Sequence, residues 1–316
     1  MTKKTRSFIC GIKSTKLSSK EISFLKKYRP WGIILFSRNI KSIKQTQNLT
    51  KKIRILFNNK NYPILIDEEG GRVSRLSKFI DSSIFTGEYF GKLYQKNRKH
   101  FKLYYNVYIK QICYLLALLG ININTVPVLD VRRNKYHKVI SDRSYSSKPK
   151  LVSLIGDYCI SIFHQNRIGT ILKHIPGHGL SKVDSHKKLP KISRSTNYLK
   201  KADFVPFKNK KSIFAMTAHI LFKKQDPFYC VTHSKKMIQI IRKNIGFKNL
   251  IISDDISMKA LKYSISDNTK RAFTAGCNLV LHCNANLREM TNVAKNSPTI
   301  SKYILKKTSQ FEDIIS

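Results

Sequence analysis

Short runs of Ile, Leu, Val and Phe alternate along this chain with longer segments whose apolar positions recur at helical spacing. The short runs predict strands over Ser7–Ile12, Gly32–Phe36, Pro63–Asp67, Ile121–Asp130, Gly169–His174, Phe214–His219, Leu250–Asp254 and Asn278–Asn284. The longer segments predict helices over Ser18–Tyr28, Ser42–Phe57, His100–Leu119, Lys150–Gln165, Ser234–Asn244 and Ser257–Ala275. The strand candidates are close to continuously apolar. That marks strands buried on both faces, as in a parallel sheet covered by helices. Eight of them alternating with helices over 316 residues predict an α/β protein, a single-domain (β/α)8 barrel of the TIM type spanning residues 1–316. A doubly wound open sheet is the rival architecture. Its nucleotide-binding form would need G-x-G-x-x-G after the first strand, and none is there.

Charge adds a second candidate class. The chain carries 60 basic against 18 acidic residues, a formal net charge of +42, which by itself points to nucleic acid or an anionic surface. Of the basic residues 45 are Lys and 15 Arg, spread among Ile and Asn over nearly every segment instead of forming one stripe. Compositional drift in an A/T-rich genome produces that distribution, so a basic nucleic-acid-binding barrel stands as the alternative. Six cysteines without a C-x-x-C pair, mostly in apolar runs, read as buried thiols in a reducing compartment. The basic N-terminus is followed by only a brief apolar stretch, and the longest apolar run, Ile112–Ile121, is far below the roughly 18 residues of a membrane span. A cytoplasmic protein without a membrane segment is expected.

With acids this scarce, their placement carries information. Asp67, Glu68, Glu69, Asp130, Asp142, Asp184, Asp254 and Asp255 all fall at or just after the C-terminal end of a predicted strand. So do His174, His178 and His186, while His219 ends another strand. In a parallel barrel these ends meet on one rim, where barrel enzymes place their chemistry. Loop and N-cap preferences of Asp would explain Asp184 or Asp255 singly, but not acids ending strands three, four and seven together.

Three segments are the richest. In Pro63–Arg75 a buried strand breaks into Asp67-Glu-Glu-Gly-Gly-Arg72, where Gly70 and Gly71 allow a sharp turn or a close approach to a ligand. Asp67 suits a pair of sugar hydroxyls; alternatively Asp67 and the nearby Arg72 and Arg75 merely tie a loop. In Lys173–His186 the spacing of Asp184 and His186 lets the carboxylate orient the imidazole for proton transfer near neutral pH. A metal held by His174, His178, His186 and Asp184, or plain loop histidines, are the competing readings; H-E-x-x-H is absent and Pro176 and Gly177 oppose a helix. In Asn249–Met258 a strand ends in Asp254 and Asp255. A carboxylate on a rigid strand end suits covalent displacement at an acetal carbon, with Asp255 or Ser257 capping the next helix. A serine-hydrolase reading lacks its G-x-S-x-G elbow.

Taken in order, Gly32–Asn39, Ile66–Val73, Lys173–Gly179, Asp184-Ser-His186, Met216–His219, Ser253–Met258 and Ala275–Asn278 resemble family 3 glycoside hydrolases, in particular the bacterial β-N-acetylhexosaminidases that recycle cell-wall muropeptides. The resemblance implies a (β/α)8 barrel and a retaining mechanism through a covalent glycosyl-enzyme. It matches Asp254 to the nucleophile and His186, supported by Asp184, to the acid/base. Asp67, Arg75, Arg143, Lys173 and His174 match residues that hold an N-acetylglucosamine ring. It implies no metal and no organic cofactor, a muropeptide or other small saccharide as partner, no specific nucleic acid, no membrane, and a monomer. Three departures stand out: Ile175 where the family has Phe, Ser141-Asp-Arg-Ser144 in place of Gly-x-Arg-Ser, and a poorly kept Pro-rich stretch around Phe79–Phe90. A barrel that keeps the fold without activity is the remaining alternative.

Overall fold

The computed structural model describes residues 1, 3–133 and 139–316. Eight parallel strands close on themselves: β1 (Arg6–Gly11), β2 (Pro30–Leu35), β3 (Ile64–Ile66), β4 (Ile123–Asn124), β5 (Gly169–Ile175), β6 (Phe214–Thr217), β7 (Leu250–Asp255) and β8 (Leu279–His282). Each strand pairs with its neighbour in sequence, and β8 closes onto β1 with Phe8 opposite Val280 and Cys10 opposite His282. The predicted barrel is therefore the fold, and the open sheet is excluded.

The helices begin where local chemistry can satisfy their first N–H groups. In α1 (Ser19–Tyr28) Ser18 and Glu21 form a reciprocal capping box, and in α2 (Ile43–Phe57) the Ser42 hydroxyl accepts from the Gln45 N–H. The long helix Arg98–Leu118 and the helix Pro149–Gln165 match their predicted spans to within two residues. Helices Gly87–Lys96, Thr196–Lys201, Leu287–Asn296 and Lys302–Ile315 lie outside the predicted segments.

Two expected elements are shorter. The strand predicted over Ile121–Asp130 is regular only at Ile123–Asn124, because Pro127 has no N–H to give a ladder. Its continuation runs beside β5 through an isolated bridge, Val128 to Lys173. The helix predicted from Ser257 starts at Ile265, capped by Ser264, whose hydroxyl accepts from the Asp267 N–H. Asp255 and Ser257 cap no helix: the Asp255 carboxylate accepts from the Ser257 N–H and hydroxyl and braces the turn that follows β7.

One apolar layer fills the space between strands and helices; a second fills the lower barrel with Ile9, Trp31, Leu65, Ile123, Ile171 and Phe214. The C-terminal helix Lys302–Ile315 plugs this lower end. Phe311 packs edge-on against Phe214, which meets Trp31, and the Trp31 indole N–H donates to the Thr308 hydroxyl at 2.9 Å. The floor is thereby sealed with hydrocarbon, and a polar cleft opens at the opposite, C-terminal end of the barrel.

Candidate active site

Strand periodicity builds the site. Side chains two apart on a strand share a face. Inward Leu65, Ile123, Ile171 and Ile252 in the apolar layer are therefore followed two residues later by Asp67, Thr125, Lys173 and Asp254 on the same side, one layer higher. The next layer up is the wall of an open-mouthed cleft. Asp67, Arg75, Arg143, Lys173, His174, His186 and Asp254 all line it, with Phe36, Met216 and Met258 as apolar neighbours. His174 joins Lys173 in the wall because the pairing of β5 skips a residue there: Lys173 faces Met216, and Ile175 faces Thr217.

One side of the cleft is a buried lattice of ion pairs. Asp67 accepts from the Thr125 hydroxyl at 2.6 Å, from Arg75 at 3.0 Å and from the Lys173 ammonium. Glu69 is only 4% exposed; it takes a two-pronged bond from Arg143, both at 2.7 Å, and a third from Lys173 at 2.5 Å. Burial pushes both carboxyls up, but Lys173 with Arg75, and Arg143 with Lys173, outweigh it and hold Asp67 and Glu69 below the ordinary range. Two carboxylates thus face three cations, leaving the lattice with one net positive charge. Arg75 also lies over the Phe36 ring, 5.5 Å from its centroid. Arg72, by contrast, pairs with Asp142 at the surface. Glu68 turns inward to accept from the N–H groups of Arg75 and Leu76, pinning the loop whose turn Gly70 and Gly71 make at φ +85° and +58°.

The rest of the rim carries further titratable groups. Asp254 sits at the end of β7. Burial alone would raise its carboxyl, yet His219, His174, the Asp255 N–H and His186 hold it below the usual range, so it is ionised at neutral pH. His219 is fully buried, its ring bonded to the Thr232 hydroxyl and the Asp255 carbonyl. His174 is locked by Asp130, whose carboxylate meets the ring Nδ1 at 2.6 Å and also accepts from the His178 N–H at 2.6 Å. His178 is pushed down to about 4, chiefly by burial, and its Nε2 lies 3.2 Å from the Ser185 hydroxyl. His186 is the exposed member, with 68% of its side chain open; its Nδ1 lies 2.9 Å from Asp184. Asp184 bears on the cleft through that imidazole.

The predicted residues therefore gather at one rim. One ring nitrogen of each of His174, His178 and His186 is engaged, by Asp130, Ser185 and Asp184 in turn, and among the described residues no three His, Cys, Asp or Glu side chains converge on a metal position. Four contributors lay outside the predicted site: Glu69, Thr125, Asp130 and His219. Glu69, Asp130 and His219 carried a signal in their strand-end positions; Thr125 carried none.

The model for the glycosyl hydrolase family 3 N-terminal domain matches residues 6–309. The β-hexosaminidase of Alkalilimnicola ehrlichii is 32% identical over 282 residues, covering 87% of this chain and 79% of that protein. A family 3 β-N-acetylglucosaminidase from Paenibacillus superposes with a TM-score of 0.84 at 25% identity over 98% of this chain, which spans 60% of that longer one. NagZ from Neisseria gonorrhoeae, solved with N-trifluoroacetyl-D-glucosamine, superposes with a TM-score of 0.81 at 25% identity, covering 99% of this chain and 98% of its own. The chain belongs to glycosyl hydrolase family 3, and within it to the β-N-acetylhexosaminidases. Among the described residues no helix is long and apolar enough to cross a membrane.

Proposed function

We propose that this chain is an exo-acting, retaining β-N-acetylglucosaminidase, and that residues 1–316 work as one catalytic unit. The observation that carries the reading is the ionised Asp254 on a rigid strand end, in the same cleft as the exposed His186, whose ring Asp184 meets. Asp254 attacks the anomeric carbon of a terminal N-acetylglucosamine while the bond to the aglycone oxygen breaks. His186 gives its proton to that oxygen. Water then attacks the glycosyl-enzyme ester, His186 takes up the water proton, and the Asp254 carboxylate leaves. A histidine in this role departs from the two-carboxylate arrangement common to glycosidases. Asp184 orients its ring.

The lattice of Asp67, Arg75, Arg143 and Lys173, with His174, holds the sugar hydroxyls and the acetamido group. The natural substrate in this reading is a peptidoglycan-derived muropeptide, N-acetylglucosaminyl-1,6-anhydro-N-acetylmuramyl peptide, processed in the cytoplasm by a monomeric enzyme. The ligand of the gonococcal neighbour, an N-acylglucosamine, supports an N-acetylglucosamine subsite here. The test is hydrolysis of a chromogenic β-N-acetylglucosaminide beside the matching glucoside. Cleavage of the first and not the second is expected, and cleavage of neither overturns the reading.

A further inference from the structure

A second buried carboxylate lies behind the turn that leads into the Asp184–His186 loop. Asp203, in the segment after the helix Thr196–Lys201, is 1% exposed. Gly177 is pressed against it: at φ +130°, a Cβ on Gly177 would lie 2.9 Å from the Asp203 Cβ. One carboxylate oxygen, Oδ2, pairs with Arg133 at 3.3 Å; the other, Oδ1, is buried with no hydrogen-bond partner among the described residues. On the far side of the same turn stands Asp130, which accepts from the N–H groups of His174 and His178. The turn is thus gripped between two carboxylates, and seven residues beyond its last residue, His178, comes Ser185, tied to His178, and then His186.

We propose that Asp203, paired with Arg133, is a positioning residue for the reaction: it fixes the His174–His178 turn from behind and, through it, the loop that presents His186. The inference rests on the reading of His186 as acid/base given above. Among the described residues, the charged groups acting on Asp203 are Arg133 and Asp130 from the segment after β4, while His174 and His178 of the turn act on Asp130. Burial pushes the Asp203 carboxyl up to about 6, against the pull of Arg133, whereas Asp130 is held low by His174 once burial is overcome. Protonation near pH 6 therefore falls on Asp203. It cancels the ion pair while the sugar-binding lattice, whose carboxyls lie below the ordinary range, stays charged.

Three measurements of kcat/KM against pH, with a natural-type disaccharide and an activated aryl glycoside, test this. The parent enzyme is expected to lose disaccharide activity as pH falls through about 6. Asp203→Asn is expected to lack that acid limb and to be slower at pH 7 by on the order of 10–100-fold on the disaccharide, the cost of a displaced catalytic group, with a smaller loss on the aryl substrate. Arg133→Gln keeps Asp203 but removes its counter-charge, so the limb should move to higher pH; this readout holds even where Asp203→Asn fails to fold. A merely structural role would lower both substrates alike and move no limb. An active parent whose limb is unmoved in Arg133→Gln overturns the clamp alone. A parent inactive on both substrates overturns the reading of the site, and the clamp with it.

Discussion

The two sides of the cleft are built on opposite principles. On the side of β3 to β5, Asp67, Glu69, Lys173, Arg75 and Arg143 spend most of their hydrogen-bonding capacity on one another, and Lys173 is only 3% exposed. In the remaining part, Asp254 ends a strand but His186 stands out on a loop, two-thirds open to solvent. A buried ion lattice keeps its geometry without a ligand, since moving one member strands its partners. That suits recognition of a fixed pattern of hydroxyls. A proton donor must meet leaving groups of differing shape and exchange protons with water, which suits an exposed imidazole. On the roles proposed above, this barrel divides binding and proton transfer by burial.

Substitutions can break the division. The largest effect is expected from Asp254→Ala, which removes the attacking carboxylate: both aryl and disaccharide substrates should lose on the order of 10⁴-fold or more in kcat, and a fluorosugar trap should label Asp254 in the parent. A label on Asp67 or Asp255 would reassign the two sides.

His186→Ala should separate substrates by leaving group. The disaccharide, which needs protonation, should lose on the order of 10²–10⁴-fold, and an activated aryl glycoside much less. Equal losses on both would mean that His186 does not act as the proton donor.

Glu69→Gln tests the buried side. It leaves Lys173 and Arg143 short of a counter-charge, and thermal or denaturant unfolding should show a loss of roughly 3–5 kcal/mol at neutral pH. The sign with pH follows from the depressed carboxyls. The stability they contribute is full above the unfolded-state values near 4 and is lost as pH falls through their lower folded-state values. The variant's stability should therefore fall less steeply in acid than the parent's; parallel acid limbs would show that the lattice adds nothing to the fold.

Asp184→Ala should have the smallest effect, a milder copy of His186→Ala of about tenfold on the disaccharide. It keeps the imidazole and loses the carboxylate that meets the His186 ring and accepts from the His186 N–H, both at 2.9 Å. A loss as large as that of His186→Ala would place Asp184 in the chemistry itself.

Much of this was legible in the residues. Continuous apolar runs marked all eight barrel strands, and scarce acids at their ends marked the rim. Elements misread were those where one residue overrode the pattern: Pro127 cut β4 short, and Ser264 with Asp267 offered a better helix start than Ser257. The helix Lys302–Ile315 escaped because its apolar face is amphipathic among lysines, and only Phe311 and Ile304 meeting the barrel floor show what it is for.

The barrel, the rim and the identity of the polar groups follow from the residues alone, because burial on both faces and strand-end chemistry are local properties that leave a local pattern. Which groups pair with which was decided only by the tertiary structure. Glu69 joins Arg143 across 74 positions, Lys173 joins Asp67 across 106, and Asp203 meets Arg133 across 70. Closure of the barrel brings these residues together, and no periodicity along the chain encodes a contact between loops that follow different strands.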